Sequence, residues 1–208
     1  MKGALPVMIT GSRLRIPVSV LLASSFAATQ ARAPGAAGSS VRLLDLAGQR
    51  VDPFGEVAKK AIVFLFVRAD CPISNRYAPE VHRLVQKFTP RGVVFKLVYV
   101  DPSEPSQEIR KHMREYGYDM TALRDNEHTL VHMTGAKVTP EATVFVWGES
   151  GARLVYRGRI DDRYVDFGKT RPAPTTHDLE DVLQAVVQGR SLEQQTTQAV
   201  GCFIQDLK

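Results

Sequence analysis

Two cysteines are the residues of this 208-residue chain best suited to redox chemistry, and they stand far apart, at positions 71 and 202. Cys71 follows an unbroken apolar run from Ala61 to Val67, which predicts a strand buried on both faces. Apolar residues then recur at helical spacing, and Pro72 suits a first helical position. We therefore expect Cys71 at a helix N-terminus, where unpaired amide groups and the helix dipole favour a nucleophilic thiolate.

A cysteine is also a small hydrophobe that packs well in a core, so burial alone is an alternative reason for Cys71. The predicted junction between a strand and a helix favours the reactive interpretation. Two charged neighbours act in opposite directions, because Arg68 is expected to favour the thiolate and Asp70 to oppose it.

The segment from Cys71 to Pro79 reads Cys-x-x-Ser-x-x-x-Ala-Pro and resembles the thioredoxin active-site motif Cys-x-x-Cys-x-x-x-Ala-Pro. Val138-Thr139-Pro140, before a predicted strand, resembles the thioredoxin segment whose cis-proline faces the active cysteine. Residues 154–161 are similar to the last hairpin strand of exported redoxin proteins of the AhpC/TSA-like and TlpA-like kinds. The resemblance covers about residues 41–190.

This resemblance implies an α/β, thioredoxin-like fold, with a central mixed sheet flanked by helices and an N-terminal β-hairpin extension. It also implies a site in which Cys71 is the nucleophile. The residues that it implies shape the site are Pro72, Ser74, Asn75, Thr139 and Pro140.

The sequence departs from three subfamilies of that fold at positions that define their motifs. Ser74 replaces the second cysteine of a dithiol thioredoxin, so Cys71 cannot close the usual short disulfide. Arg68 and Phe64 replace the threonine and proline of the peroxiredoxin signature. Asn75 replaces the second cysteine of the copper-delivery relatives.

The chain divides into four parts. Residues 1–33 have the order of a secretory signal peptide, with basic residues, an apolar stretch too short to span a bilayer, and small residues. Residues 34–40 form a flexible lead-in, 41–190 the redoxin domain, and 191–208 a polar tail that carries Cys202. We therefore expect an exported protein, periplasmic or extracellular, with no membrane span in the mature chain.

The positive charge of the chain lies mostly in its leader. The net charge is +5, and removal of four basic residues, Lys2, Arg13, Arg15 and Arg32, leaves +1 for the mature chain. The remaining basic residues are interspersed with acidic ones, which gives no indication of nucleic-acid binding.

The order of elements within the domain predicts a parallel βαβ unit, because the Cys71 helix is followed by a second buried strand from Val93 to Val100. Helices are predicted from Ser106 to Tyr116 and from Glu127 to Thr134. The segment from Asp161 to Thr176 is predicted to be a long irregular loop, and loops of that length are often functional. A closing helix follows it and ends at Gly189.

The tail ends in Gly201-Cys202-Phe203-Ile204, a pattern typical of a docking patch. Twelve extended residues reach about 40 Å, more than the diameter of a small domain, so Cys202 is able to approach Cys71. Such tails also resemble those of exported redoxin proteins that carry Cys-Pro-Ile-Ser-Asn.

Three functions remain open for the two thiols. In the first, Cys71 attacks and Cys202 resolves, the substrates being protein thiols and disulfides or a peroxide, with a separate reductant protein and no cofactor. In the second, the two cysteines form a permanent structural disulfide. In the third, they hold Cu(I), with help from His128 or His132. The sequence itself shows no clustered metal ligands, so no metal site is assigned.

Overall fold

The structure is a computed structural model that describes residues 41–55, 60–148 and 151–205. The predicted signal peptide (1–33) and lead-in (34–40) lie outside the described residues. So does the end of the predicted tail, residues 206–208.

The described strands are β1 (Leu43–Leu44), β2 (Arg50–Val51), β3 (Ala61–Val67), β4 (Val93–Tyr99), β5 (Thr121–Arg124), β6 (Val138–Thr139), β7 (Glu141–Gly148), β8 (Gly151–Gly158), β9 (Tyr164–Asp166), β10 (Lys169–Thr170), β11 (Gln195–Thr196) and β12 (Cys202–Phe203). The described α-helices are α1 (Pro72–Arg76), α2 (Ala78–Phe88), α3 (Ser106–Glu115), α4 (Thr129–Thr134) and α5 (Asp178–Val187). A 3-10 turn, Thr89–Arg91, follows α2.

One mixed sheet organises the domain, with the strand order β11-β8-β7-β3-β4-β5-β1-β2. Strands β3, β4 and β5 are parallel, whereas β7 pairs antiparallel with β3 and β8 antiparallel with β7. β1 and β2 form the predicted N-terminal hairpin and extend the sheet beyond β5. The α/β, thioredoxin-like fold with a mixed central sheet flanked by helices is therefore confirmed.

Strand β3 is buried along its whole length because both faces of the sheet are covered. Its residues Val63 and Leu65 belong to the core that includes Leu84 of α2 and Leu183 of α5. Its alternate residues face a second core with Leu130 of α4, where the rings of Phe54, Phe64 and Phe145 contact one another edge to face. This buried strand gives Cys71 a rigid support.

Pro79 separates two helices, as the resemblance implies. α1 ends before Tyr77, and α2 begins at Ala78 with the proline in its first turn. Because a proline has no backbone N–H and its ring crowds the preceding turn, a single straight helix is interrupted here. The short helix that begins at Cys71 is thus set apart from the longer one that packs on the sheet.

One prediction about an irregular segment is wrong. The segment from Asp161 to Thr176 is not without regular structure, since β9 and β10 form a small antiparallel hairpin around Gly168. The tail is also more ordered than its polar sequence indicates. β11 pairs parallel with β8, and β12 pairs antiparallel with β6. The hairpin is local, whereas the two tail strands depend on partners that are distant in sequence.

The helix predicted from Glu127 begins two residues later, at Thr129. His128 adopts a left-handed conformation before it, and Asp125 accepts hydrogen bonds from the backbone N–H groups of Leu130 and Val131. In the part of the chain that is described, no helix combines the length and the apolar character needed to cross a membrane.

Candidate active site

Cys71 lies where β3 gives way to α1, as the sequence predicts. It is the N-cap residue of α1, with an extended backbone (φ −83°, ψ 109°), and Pro72 occupies the first turn. The carbonyl of Cys71 already accepts a hydrogen bond from the Asn75 N–H at 3.1 Å. The residue is only 1% exposed, so its thiol faces the protein rather than bulk water.

The Thr139–Pro140 segment faces this thiol. The peptide bond between the two residues is cis, as the resemblance to thioredoxins implies. The Cys71 Sγ donates a hydrogen bond to the Thr139 carbonyl at 3.1 Å. Thr139 is fully buried, and Pro140 is buried beside it. Two segments that are almost seventy residues apart in sequence therefore meet at the sulfur atom of Cys71.

Cys202 joins the same site through the C-terminal tail. β12 pairs with β6 so that Cys202 lies opposite Thr139, and the Ile204 N–H donates to the Lys137 carbonyl at 2.9 Å. Gly201 allows this close approach, because a Cβ atom at that position would collide with the Thr139 carbonyl. The sequence predicts that Cys202 is able to approach Cys71, and the pairing of β12 with β6 brings the two residues together.

The two thiols differ in their ionisation. Burial opposes ionisation of Cys71, yet hydrogen bonds from the Cys202 thiol, Ser74 and Thr139 outweigh it and hold the pKa of Cys71 below its ordinary value. Burial and the neighbouring Cys71 raise the pKa of Cys202 to about 12. Both cysteines are free thiols in the structure. Cys71 is therefore the more readily ionised thiol of the pair, and Cys202 lies beside it as a hydrogen-bond donor.

Ser74 stands where a dithiol thioredoxin has its second cysteine, and its side chain serves the first one. The hydroxyl groups of Ser74 and Thr139 are buried and have no other hydrogen-bond partner among the described residues. Each lowers the pKa of Cys71 by donating to the thiolate. A serine at this position stabilises the thiolate without offering a second thiol next to it.

Asn75 is held in a buried polar chain that the sequence does not reveal. Its amide group donates to the Ala69 carbonyl at 2.9 Å, and its Oδ1 accepts from His112 Nε2 at 2.8 Å. His112 Nδ1 then accepts from the Tyr99 hydroxyl at 2.7 Å. Burial lowers the pKa of His112, which agrees with the neutral ring that this pattern of donors and acceptors requires. The chain fixes the first turn of α1 against β4.

The charged neighbours of Cys71 are occupied elsewhere. Arg68 pairs with Asp70 at 2.8 Å and with Asp101 at 3.3 Å, and it is absent from the groups that lower the pKa of Cys71. The expectation that Arg68 favours the thiolate is therefore not supported, because hydrogen bonds rather than a guanidinium group stabilise the charge. Arg124 contacts the Glu104 carbonyl at 3.1 Å.

The structure places neither His128 nor His132 beside the two thiols, so it does not support the Cu(I) hypothesis. His128 is buried, with its Nε2 2.7 Å from the Val100 carbonyl, and the exposed His132 lies on the following helix. Within residues 41–55, 60–148 and 151–205, no group of three metal-ligating side chains includes either cysteine.

Comparisons with known proteins agree with the fold. An uncharacterized conserved protein from Geobacillus kaustophilus is 24% identical, covers 80% of this chain and 88% of its own, and has a TM-score of 0.68. A hypothetical protein from Sinorhizobium meliloti is 22% identical, with coverages of 79% and 89% and a TM-score of 0.66. A putative thioredoxin from Neisseria meningitidis is 18% identical, with coverages of 71% and 87% and a TM-score of 0.52.

No curated protein matches the sequence. The model of the AhpC/TSA family matches residues 27–152, a segment that contains Cys71, Ser74 and the Thr139–Pro140 peptide and ends before Cys202. With a thioredoxin-like fold and a match over more than half of its length, the chain belongs to the AhpC/TSA family.

Proposed function

We propose that this protein is an exported thiol-disulfide oxidoreductase in which Cys71 is the nucleophile and Cys202 the resolving thiol. The observation that carries the proposal is the pairing of β12 with β6, which sets the Cys202 thiol against the Cys71 sulfur. The opposite pKa shifts of the two cysteines suit these roles. Cys71, with the lower pKa, ionises more readily and attacks, and Cys202, with the higher pKa, stays protonated until the mixed disulfide has formed.

The first half of the reaction reduces a client disulfide. The Cys71 thiolate attacks one client sulfur, forms a mixed disulfide and releases the other client sulfur as a thiolate, which takes the Cys202 proton. The Cys202 thiolate then attacks the Cys71 sulfur, closes the Cys71–Cys202 disulfide and releases the second client sulfur as a thiolate, which takes a proton from water. Two electrons have passed from the cysteine pair to the client.

The second half restores the thiols and requires a separate reductant protein. Cys202 is half-buried whereas Cys71 is 1% exposed, so an external thiolate reaches the Cys202 sulfur first. Cys71 is also the better leaving group because its pKa is the lower of the two. A groove of about 460 Å³, lined in part by Val138, Phe167 and Cys202, opens beside this sulfur and is our proposed entry for the reductant.

Peroxide reduction is a second candidate, and the tail itself favours it. β12 occupies the backbone edge of Thr139, where a client strand would otherwise pair, so a protein client must displace the tail whereas a small hydroperoxide need not. The Cys71 thiolate would attack the terminal oxygen of the hydroperoxide and break the O–O bond, which leaves a sulfenic acid and releases an alkoxide that takes a proton from water. Condensation of the sulfenic acid with the Cys202 thiol would then form the disulfide and release water. Against it, Arg68 stands in place of the peroxiredoxin threonine and is bound to two carboxylates.

One experiment separates the substrates. The mature chain is supplied with dithiothreitol and either insulin or an organic hydroperoxide, alongside Cys71→Ser and Cys202→Ser variants. We expect insulin reduction that depends on both cysteines. Hydroperoxide consumption without insulin reduction would move the function to the second candidate. If the Cys71→Ser variant retained both activities, both candidate functions would be rejected.

Export remains a proposal that rests on the leader sequence. Residues 1–33 precede the family match for most of their length and carry basic, apolar and small residues in the order of a secretory signal. A fusion of residues 1–40 to a reporter enzyme that is active only outside the cytoplasm tests it. Reporter activity supports export, and activity that stays in the cytoplasm rejects it.

A further inference from the structure

Three side chains converge away from the thiols, and we propose that they bind a divalent metal ion of the Zn²⁺ type. Glu80 lies in the first turn of α2, Asp161 follows β8, and His177 precedes α5. One ligand atom from each side chain lies within 4.8 Å of the others. One imidazole nitrogen and two carboxylate oxygens are a ligand set that Zn²⁺ accepts, with a water molecule as the fourth ligand.

Asp161 is the strongest indication of a bound cation. It is only 2% exposed, and its Oδ1 accepts hydrogen bonds from the Tyr77 hydroxyl at 2.5 Å and from the Arg163 N–H at 2.9 Å. Its Oδ2 is buried with no hydrogen-bond partner, and Asp161 forms no ion pair with any described residue. A buried carboxylate without a cation is costly, and a metal ion at Oδ2 removes that cost.

His177 provides a second indication of a bound cation. Its Nδ1 is buried and has no hydrogen-bond partner among the residues that the structure describes. An imidazole ring needs one partner for each nitrogen, and a metal ion is a common partner for the nitrogen that carries no proton. Two unpartnered buried atoms, one on each side chain, therefore belong to the same small cluster.

Glu80 completes the set without leaving its present partner unpaired. Its carboxylate pairs with Arg83 at 2.6 Å, and the same guanidinium group also binds Glu180. When Glu80 turns towards the ion, Glu180 still compensates the charge of Arg83. Glu80 belongs to α2, whereas hydrogen bonds tie the segments that carry Asp161 and His177 to each other.

Three hydrogen bonds connect the segment after β8 to the segment that leads into α5. The Leu179 N–H donates to the Ile160 carbonyl at 3.1 Å, and the Asp162 N–H donates to the Thr176 carbonyl at 3.3 Å. The Asp162 carboxylate accepts from the Thr176 N–H at 3.0 Å and thus closes the intervening loop. Residues 161 and 177 are held side by side before any ion arrives, which favours binding because little ordering is left to be done.

The site links the redox helix pair to the long loop. Tyr77, which binds Asp161, stands between α1 and α2, and its ring lies against that of Tyr164 in β9, with centroids 5.5 Å apart. A metal ion at this place acts as a structural clamp behind the turn that carries Cys71. Its role is separate from thiol chemistry, so it stands or falls independently of the proposed oxidoreductase activity.

Zinc titration tests the site in a chain whose thiols cannot bind the metal. The Cys71→Ser/Cys202→Ser variant is stripped with a chelator and titrated with Zn²⁺ in competition with a chromophoric chelator. We expect one zinc per chain, a rise in melting temperature on zinc addition, and at least about a tenfold weaker affinity for added Asp161→Asn or His177→Gln changes. Asp181→Asn and His132→Gln, at exposed positions, are the matched controls and should bind as the parent does.

Equal affinity in the ligand and control variants, or no zinc bound by the parent, would overturn the proposal. If the double serine variant or Asp161→Asn fails to fold, X-ray absorption at the zinc edge of the wild-type chain decides instead. A first shell of nitrogen and oxygen that changes in His177→Gln supports the site. A sulfur shell assigns the metal to the cysteines and rejects it.

Discussion

The two cysteines occupy opposite kinds of environment, although their thiols meet. Cys71 lies at the end of a seven-residue strand that is buried on both faces, and its thiolate is stabilised by fixed donors. Cys202 lies on a two-residue strand at the rim, with the exposed Phe203 next to it and a pKa raised to about 12. This difference fits the proposed division of roles, in which the core prepares the nucleophile and the tail supplies the resolving thiol.

The largest expected effect comes from the replacement of each cysteine in turn. Cys71→Ser should abolish turnover completely, because no thiolate remains to attack. Cys202→Ser should keep the first attack, so that the chain releases client thiol once and stops as a mixed disulfide. Rapid quenching and intact mass measure both. A Cys202→Ser variant that turns over at the wild-type rate would show that the tail has no resolving role.

Detaching the tail without touching a sulfur atom should have the next largest effect. Gly201→Ala places a Cβ against the Thr139 carbonyl, so β12 is pushed off β6. We expect Cys71–Cys202 disulfide formation to slow by at least about tenfold, which corresponds to about 1.4 kcal/mol. Stopped-flow alkylation measures the rate. Gly148→Ala is the control, since its added Cβ meets only ordinary contacts; equal rates in the two variants would contradict the account.

The ionisation of Cys71 should depend on its donors in a graded way. As the pH rises the thiolate fraction rises, and the rate of alkylation follows it, with a midpoint below the ordinary pKa of a cysteine thiol because hydrogen bonds stabilise the thiolate. Cys202→Ala removes a donor and should shift this profile to higher pH, whereas Cys202→Ser keeps a hydroxyl donor and should shift it less. Ser74→Ala should also shift it upwards. Profiles that coincide in all four proteins would show that other groups set the pKa.

The last expected effect concerns the polar chain behind α1 and falls on stability rather than on thiol chemistry. Asn75→Ala leaves the His112 ring nitrogen without its acceptor, which should lower the free energy of unfolding by about 1–3 kcal/mol. Chemical denaturation measures the change, with the exposed Gln107→Ala as control. A loss of unfolding free energy no larger than that of the control would mean that a water molecule replaces the asparagine side chain as the acceptor for His112.

The sequence predicts the nucleophile end of the site well because long elements build it. Seven consecutive apolar residues specify a buried strand, Pro72 marks the helix start, and the spacing from Cys71 to Pro79 resembles a known motif. These are local signals, and the structure follows them.

The tail end of the site is harder to predict because tertiary contacts create it. β11 and β12 have two residues each, too few for any periodicity, and their partners β8 and β6 are distant in sequence. The types of Gly201 and Gly158 reflect these contacts, since Gly201 passes close to the Thr139 carbonyl and Gly158 close to Thr197. Similarly, nothing in the sequence pairs His112 with Asn75 or His177 with Asp161.

The most direct test of the whole account is the redox equilibrium between Cys71 and Cys202. The mature chain is equilibrated over a range of dithiothreitol potentials, its free thiols are alkylated, and its intact mass is measured. We predict one disulfide whose midpoint reduction potential lies above about −300 mV, so that a cellular reductant is able to open it. A disulfide that stays closed below that value would make the pair a structural staple, and two thiols that never pair would contradict the proposed chemistry.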